Sequence, residues 1–407
     1  MQLTKFINNI NITKILNKIF IFAIFLYALG SNISKSAISV GVGLVILIWW
    51  LKIIIVRDYK FDKPIKYWPF LLMLILFVFS RNEIEFILDS RTTSKIFLGV
   101  FFFLALINEL DDKKTIKRLI YLTTIIVTIS SIYAGYQYLF EDVRRAYGFS
   151  RFSITQGNIA VMGAGVCLPF LFRKKNKIWQ YIVFAGAFLI NTSAILFSLT
   201  RGSYLAWIIV VLIFALIKYP KALPILLIAF ILTYSFLPAN IQNRFFSSFD
   251  PNESSFKTRV SMWQTSVDIM KERPLLGIGL DNFPSNIPEE FEITGFRSDH
   301  RHAHNNYFHF GAETGIPAML LLIYGNYLII KKLFLAYWLD KNDNKNNDKT
   351  FYLALLLGIL GFLLSGLTVA NFIDFQSNHY FWFLAGSGLA LIKIKNQNIN
   401  PEVDINE

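Results

Sequence analysis

The histidines of this chain are concentrated in one short polar segment. Four of the five fall in the stretch SDHRHAHNNYFHF: His300, His302, His304 and His309. Imidazole exchanges a proton near neutral pH, so one of them could act as a general base. Alternating histidines on an extended strand would also point the same way, as zinc ligands do. No cysteine pair, HExxH motif or pair of acids accompanies them, and Asp299 is the only acid in the segment. The general-base hypothesis is favoured, with a metal site and surface histidines of no special role as alternatives.

Arg201 is the second residue whose position indicates chemistry. It lies in SLTRGSYLAW, immediately before a long apolar run. Thr200 can cap a helix that begins there, and Gly202 allows close backbone approach. The N-terminus of a helix with an adjacent arginine is a site for anions. The alternative is an interfacial arginine that extends to lipid headgroups.

Other arginines could belong to the same anion site. Arg259 precedes Trp263 by about one helical turn and could face a diphosphate or simply cover a packed surface helix. Arg144, Arg145 and Arg151 form a further basic cluster, for which a solvated or lipid-facing role is the default interpretation.

The composition identifies the elements that must position these residues. Hydrophobic residues make up 54% of the 407 residues, charged residues 16%, and the mean hydropathy is +0.47. These values predict an all-α polytopic membrane protein. The net charge of +13 comes mostly from Lys and Arg between apolar runs, where they set topology, so nucleic acid is not an expected partner. The single cysteine, Cys167, excludes an intrachain disulfide.

About twelve apolar spans can be predicted from the hydropathy pattern. The first follows Lys5, Lys14 and Lys18 and is similar to a secretory signal, but more spans follow it, which favours an uncleaved membrane helix. The predicted spans are 19–33, 37–56, 67–80, 96–110, 118–140, 158–172, 178–199, 204–219, 222–237, 313–331, 350–370 and 380–393.

The basic residues predict the orientation of these spans. With a cytoplasmic N-terminus, every inside loop carries Lys or Arg, and the alternation continues without a break. This pattern predicts two cytoplasmic termini. It also predicts four regions: helices 1–9 in 1–238, a large periplasmic loop in 239–305, helices 10–12 in 306–393 and a tail in 394–407. Within the loop, FKTRVSMWQTSVDIMKE has helical periodicity, with Arg259, Trp263, Val267 and Met270 on one face, and RPLLGIG ends that helix.

Several short motifs resemble those of the O-antigen ligase and polymerase superfamily. In HNNYFHFGAETG, His304 and Asn305 are followed after nine residues by Gly315, as in that family's signature. TRGS resembles its arginine motif, and RVSMWQTSVDIMKERPLLGIGLDNF resembles its large periplasmic loop. RRAYGFSRFSITQGNIA weakly resembles a segment ahead of the sixth span. With twelve spans, the likeness covers nearly the whole chain.

The resemblance implies a GT-C-like, metal-independent, inverting glycosyltransferase of the inner membrane that needs no cofactor. The donor would be a glycan on undecaprenyl diphosphate. The acceptor would be lipid A-core, a growing repeat unit or a protein hydroxyl. His304 would be the general base, Arg201 and Arg259 would bind the donor diphosphate, and Arg145, His302 and Asn305 could support them. Only His304 fits the motif spacing, although His300 and His302 are rivals.

Two other classes of protein remain as alternatives. A polytopic transporter would place ionisable residues inside its helices, whereas the distinctive polar groups here lie at one surface. A structural or assembly protein would not need arginines and a histidine on one face. Among the transferases, an O-antigen ligase is favoured, with a repeat-unit polymerase and a protein O-oligosaccharyltransferase as alternatives.

Overall fold

The chain folds into helices joined by short segments. The computed structural model describes residues 2–56, 59–62, 68–80, 91–173, 176–247, 250, 252–287, 302–340 and 348–399, and within these ranges it contains no strand. The helices are α1 (Gln2–Gly30), α2 (Lys35–Ile55), α3 (Trp68–Phe79), α4 (Arg91–Glu109), α5 (Lys113–Phe140), α6 (Ser153–Leu171), α7 (Ile178–Phe197), α8 (Arg201–Lys218), α9 (Leu223–Ser235), α10 (Ala239–Phe246), α11 (Ser254–Glu272), α12 (Asn306–Leu339), α13 (Asp348–Ser365) and α14 (Phe375–Ile399).

Each of the twelve predicted spans coincides with one of these helices. Eight helices of the described residues are long and apolar enough to cross a membrane: α1, α2, α5, α6, α7, α8, α12 and α13. The helices α3 and α9 are apolar but shorter. The predicted all-α polytopic membrane fold is confirmed. The last helix, α14, continues to Ile399 and so includes the first residues of the predicted tail, 394–407.

The centre of the bundle is formed by α6 and α13, which are buried along most of their length. Small residues let these two helices approach each other closely. A Cβ added to Gly165 would lie 2.9 Å from the carbonyl oxygen of Leu357, and Gly361 of α13 lies against Val161. By contrast, α7 buries only Asn191, Ala194 and Ile195 fully, as expected for a helix at the lipid-facing rim.

Ion pairs join the loops at one end of the bundle. Those loops are the ones predicted to be cytoplasmic, and they are tied together by the pairs Lys52–Glu109, Lys393–Asp62, Lys395–Asp340 and Lys113–Asp348. The loops predicted to be periplasmic meet at the other end of the same helices. For example, the amide of Ala146 donates to the carbonyl of Phe197, and Thr155 donates to Asp374. The two sets of predicted loops therefore occupy opposite ends of the bundle.

Candidate functional site

Arg201 is the first residue of α8, and its side chain is buried. Both terminal nitrogens of its guanidinium donate to the carboxylate of Glu253, and Nη1 also donates to the hydroxyl of Ser255 at 2.9 Å. A bidentate pair of this kind fixes the plane of the guanidinium as well as its position. Arg201 is therefore held at the start of α8 by the large loop predicted from the sequence.

Glu253 is positioned by the helix that follows it. It is the N-cap of α11, and its carboxylate accepts the amide of Ser255 at 2.9 Å. The hydrogen bonds from Arg201 outweigh partial burial and lower the pKa of Glu253 from about 4.5 to about 2. Glu253 is therefore ionised throughout the physiological range. Its contribution to stability is complete above about pH 4.5 and is lost as the pH falls towards 2.

Two further arginines surround the end of α7. Arg145 donates to the carbonyl of Ser198 at 3.0 Å and to the hydroxyl of Thr200 at 3.2 Å. Arg244 of α10 donates to the carbonyl of Leu199 at 3.1 Å. Carbonyls at the C-terminus of a helix lack partners within the helix, and such side chains satisfy them. The turn between α7 and α8 is therefore fixed from two sides by cationic groups.

These arginines form one electrostatic cluster with Arg201 and Arg259. Burial, and then the neighbouring Arg244, lowers the pKa of Arg145 to about 10. Burial, followed by repulsion from Arg201 and Arg244, lowers the pKa of Arg259 as well. Glu253 pairs with Arg201 and, at 3.7 Å, with Arg244. We call the four arginines and Glu253 the arginine cluster. Cations that are crowded and partly desolvated in this way attract an anion strongly.

Some sequence-based expectations about this region need correction. Thr200 occupies the N-cap position of α8, but its side chain makes no capping bond to the helix. Its hydroxyl instead lies within hydrogen-bonding reach of Arg145 and of the carbonyl of Ser198. Arg151 does not join the cluster; its guanidinium lies 5.4 Å from the ring of Phe152. Of the three arginines grouped by sequence, Arg145 makes the direct contacts.

His304 lies in the turn that leads into α12. Its φ of 51° is in the left-handed region, where histidine and asparagine are tolerated better than most residues. Its amide donates to Nδ1 of His302 at 3.2 Å, and the two rings are 4.4 Å apart between centroids. Asn305 is the N-cap of α12, and its side chain accepts the amides of Tyr307 and Phe308. The His-Asn pair of the motif therefore fixes the start of this helix.

The relation between His304 and His309 does not follow helical periodicity. His304 precedes the N-cap, so its direction is set by its own left-handed φ and not by helical periodicity. His309 is buried in α12, and its ring lies 6.3 Å from that of His302. His302 is therefore a neighbour of both residues. His300 and Asp299 lie outside the described residues.

The final glycine of the motif interrupts α12. Gly315 has φ 85° and ψ 162°, a conformation that is essentially restricted to glycine. The break frees backbone groups that pair with the turn after α11. The amides of Ile278 and Gly279 donate to the carbonyls of Ala312 and Glu313 at 3.0 and 2.8 Å, and the amide of Ile316 donates to Pro274. The glycine motif and the RPLLGIG turn, separated in sequence, thus form one interlocked unit.

We expect Gly315→Ala to destabilise the fold by about 3 kcal/mol, because alanine cannot adopt this φ and ψ without strain. Its methyl group would also meet the carbonyl oxygen of Leu275. Thermal unfolding in detergent measures the effect. Gly186→Ala on α7 is the matched control, because a Cβ there has no neighbour within 4 Å, and it should leave the unfolding temperature unchanged or slightly raised. Equal unfolding temperatures for both variants would contradict this account of Gly315.

One short segment connects the arginine cluster with His304. Asn305 Nδ2 donates to the carbonyl of Leu367 at 2.9 Å, and the amide of Asn306 donates to the carbonyl of Gly366 at 2.9 Å. On the other side, the Cα of Gly202 packs against Thr368, where any side chain would clash. The starts of α8 and α12 therefore rest on the same segment, 366–368. This shared support holds Arg201 and His304 at one end of the bundle.

The long loop helix α11 packs on the beginning of α12. Trp263 lies against Phe308 with ring centroids 5.8 Å apart, and Met270 lies against Gly311. The buried face of α11 is offset from the predicted one. It consists of Thr258, Met262, Thr265, Ser266, Ile269 and Met270, while Arg259, Trp263 and Val267 lie at its border. Arg259 thereby lies at the edge of α11 that faces Arg201 and Arg244.

Sequence reasoning missed three residues of this region: Arg244, Glu253 and Glu313. Arg244 and Glu253 lie in the large loop, where an acid directly before the helical pattern of α11 was an available signal for an N-cap. Glu313 is an acid inside an apolar run, which is itself a signal of function in a membrane protein. Within the part of the chain that the structure describes, no group of three or more His, Cys, Asp or Glu side chains is arranged to hold a metal ion.

The comparison with protein families matches the same part of the molecule. Residues 186–323 match the family model described as O-antigen ligase. The match includes Arg201, Glu253, Arg259, His304 and Gly315. No curated protein matches the chain. The resemblance predicted from the motifs is thus confirmed for residues 186–323, which match the O-antigen ligase family.

Proposed function

We propose that this protein transfers a glycan from undecaprenyl diphosphate to an acceptor hydroxyl, and that it is an O-antigen ligase whose acceptor is lipid A-core. The carrying observation is that the start of α8, with Arg201, and the turn into α12, with His304, rest on one segment, 366–368, at one end of the bundle. The diphosphate of the donor requires cationic groups, and the hydroxyl of the acceptor requires a base. In this structure one segment supports the parts of the chain that carry both.

The proposed reaction places positive charge on His304 and negative charge on the departing diphosphate beside the arginines. The acceptor oxygen attacks the anomeric carbon, the bond from that carbon to the diphosphate oxygen breaks, and the configuration at the carbon inverts. His304 accepts the hydroxyl proton as general base. Undecaprenyl diphosphate leaves with the electron pair of the broken bond, and Arg201 and Arg259 stabilise the negative charge on it. The guanidinium groups take the role that a divalent metal has in other transferases, so the reaction is proposed to be metal-independent.

The proposed site faces the periplasm. The opposite end of the bundle carries the lysine-rich loops, which the positive-inside rule assigns to the cytoplasm. Both termini would then be cytoplasmic and the protein would reside in the bacterial inner membrane. A lipid-linked donor suits this location, because nucleotide sugars are made in the cytoplasm and a glycan on undecaprenyl diphosphate can be presented at the outer leaflet.

Deletion of the gene in its bacterium tests the function. We expect lipid A-core to lose its entire O-chain while glycan accumulates on undecaprenyl diphosphate, as seen by gel analysis of lipopolysaccharide and by extraction of lipids. Lipid A-core that retains a single repeat unit would instead indicate a polymerase. Normal lipopolysaccharide with an unglycosylated protein would indicate a protein O-oligosaccharyltransferase. Unchanged glycans of all three kinds would contradict the proposal.

The purified protein tests the mechanism. With donor and lipid A-core as substrates, transfer should proceed in excess EDTA and should invert the anomeric configuration of the transferred sugar. Loss of activity in EDTA that zinc, magnesium or manganese restores would overturn metal independence while leaving the transferase function intact.

A further inference from the structure

A row of four polar side chains extends inward from the turn before α12: His304, His302, His309 and Glu313. We call it the imidazole row. The ring of His302 lies 4.4 Å from that of His304 and 6.3 Å from that of His309, measured between centroids. Nε2 of His309 is 3.4 Å from Oε2 of Glu313. The row begins at the partly exposed His304 and ends at a carboxylate with no exposed surface. The proposed reaction has so far used only its outermost member.

The backbone determines how His302 takes part in this row. Because the amide of His304 donates to Nδ1 of His302, that nitrogen acts as an acceptor and carries no proton. A neutral His302 therefore carries its proton on Nε2, and it gains a second proton only by losing this contact. The same hydrogen bond ties the orientation of the His302 ring to the main chain of His304.

Glu313 is held firmly at the inner end. Its Oε1 accepts the amide of Phe283 at 3.1 Å, and its carbonyl accepts the amide of Gly279 at 2.8 Å. Its Oε2 is the atom directed at His309. Phe283 also meets the His309 ring edge-on, with centroids 5.8 Å apart. Glu313 thus sits between the RPLLGIG turn and the imidazole of His309.

Among the residues that the structure describes, three titratable side chains act on His309: Glu313 on its own helix, His302 from the segment before α12, and Asp281 from the turn after α11. Two of these three are acids, and none of the three is a lysine or an arginine. A carboxylate in a water-poor interior favours a positive charge nearby far more than it would in solvent. Glu313 therefore offsets part of the cost of a positive charge that arises elsewhere in the row.

We propose that Glu313 and His309 are positioning residues for the transfer reaction, and that through His302 they stabilise the positive charge that His304 gains when it takes the acceptor proton. This proposal rests on the proposed function of His304. The acceptor O–H bond breaks, the proton resides on the imidazole row, and no group changes oxidation state. Neither Glu313 nor His309 contacts the reacting atoms in this scheme.

A structural role for Glu313 can be separated from an electrostatic one. Glutamine has the same size and retains a carbonyl oxygen that accepts the amide of Phe283, but it lacks the charge. Glu313→Gln therefore tests the charge while conserving the contact. Glu272→Gln at the end of α11 is the matched control, because it removes the same charge from an exposed side chain.

The test uses the full-length purified protein with undecaprenyl-diphosphate glycan and lipid A-core. We expect Glu313→Gln to lower kcat about tenfold or more, which corresponds to one pKa unit of charge stabilisation, with the KM for the donor unchanged. The acid limb of the kcat/KM profile should move to lower pH, because an imidazole row without its anion protonates less readily. Glu272→Gln should match the wild type in both measurements.

A second variant and a second measurement keep the test decisive. His309→Gln leaves Glu313 in place but removes the imidazole between it and His302, and it should move the acid limb in the same direction. NMR titration of the histidine rings in the resting protein should show the same shift for His304 without any turnover. Wild-type pH profiles and titrations in both variants would overturn the proposal. Absence of transfer by the wild-type protein would instead contradict the proposed function.

Discussion

Replacement of His304 is expected to abolish glycan transfer while the protein still inserts and accumulates. Loss of a general base typically lowers the rate by about 10²–10⁴. His304→Asn is the sharper variant, because asparagine tolerates the left-handed φ of 51° at this position, so the turn into α12 is preserved. His304→Ala removes the same imidazole but adds some backbone strain. Both variants should bind donor like the wild type, and turnover of labelled donor in purified protein measures the loss.

The other histidines provide the controls for this prediction. His300→Ala should keep substantial activity, and His302→Ala and His309→Ala should each lose only the electrostatic support described above. An active His304→Asn would show that another imidazole is the base. A His302→Ala variant as inactive as His304→Ala, at normal expression, would move the assignment to His302.

Replacement of Arg201 is expected to have the second large effect. Arg201→Ala should lower kcat/KM about a hundredfold, because hydrogen bonds to a charged group contribute about 1.5–3 kcal/mol each. Arg201→Lys keeps the charge but loses the planar guanidinium, whose two terminal nitrogens donate to the two oxygens of Glu253. Its activity should therefore fall, but less than that of Arg201→Ala. Binding of undecaprenyl diphosphate, followed by calorimetry, should weaken in parallel.

Loss of activity in Arg201→Ala has two possible sources, and a double variant separates them. Removing one partner of a buried ion pair destabilises a protein by about 3–5 kcal/mol, because the other charge is left unpaired. The double variant Arg201→Ala/Glu253→Ala removes both charges and should recover most of the thermal stability. It should not recover transfer. If the double variant is both stable and fully active, Arg201 does not bind the donor.

The sequence predicted the residues that lie at helix starts better than those in the large loop. Arg201 and His304 directly precede apolar runs, so their types and positions were visible together. Arg244 and Glu253 become neighbours of Arg201 only through the folding of the loop, across more than forty residues of chain. No periodicity in the sequence records such a contact. The burial of α11 was predicted with a small offset because Arg259 and Trp263 lie at the border of its face.

The turn residues illustrate a second limit of pattern-based prediction. RPLLGIG was predicted to end a helix, and it does, but its partner could not be inferred. Gly277 has φ 64° and lies against the backbone of Ala312 and Glu313, beside the break at Gly315. Each glycine alone indicates a turn. Only the structure reveals that the two turns form backbone hydrogen bonds with each other. These contacts, with that from the amide of Phe283, position Glu313 beside His309.

The pair formed by Arg201 and Glu253 has a consequence for how any anion enters this site. The cluster already contains a carboxylate, and the pKa of Glu253, about 2, keeps it charged at every physiological pH. A diphosphate that displaces the Glu253 carboxylate from Arg201 therefore exchanges one anion for another. The measured affinity is then a difference between two interactions, and singly charged lipid headgroups compete poorly with a tethered carboxylate. Selectivity for a doubly charged diphosphate would arise from this built-in competitor.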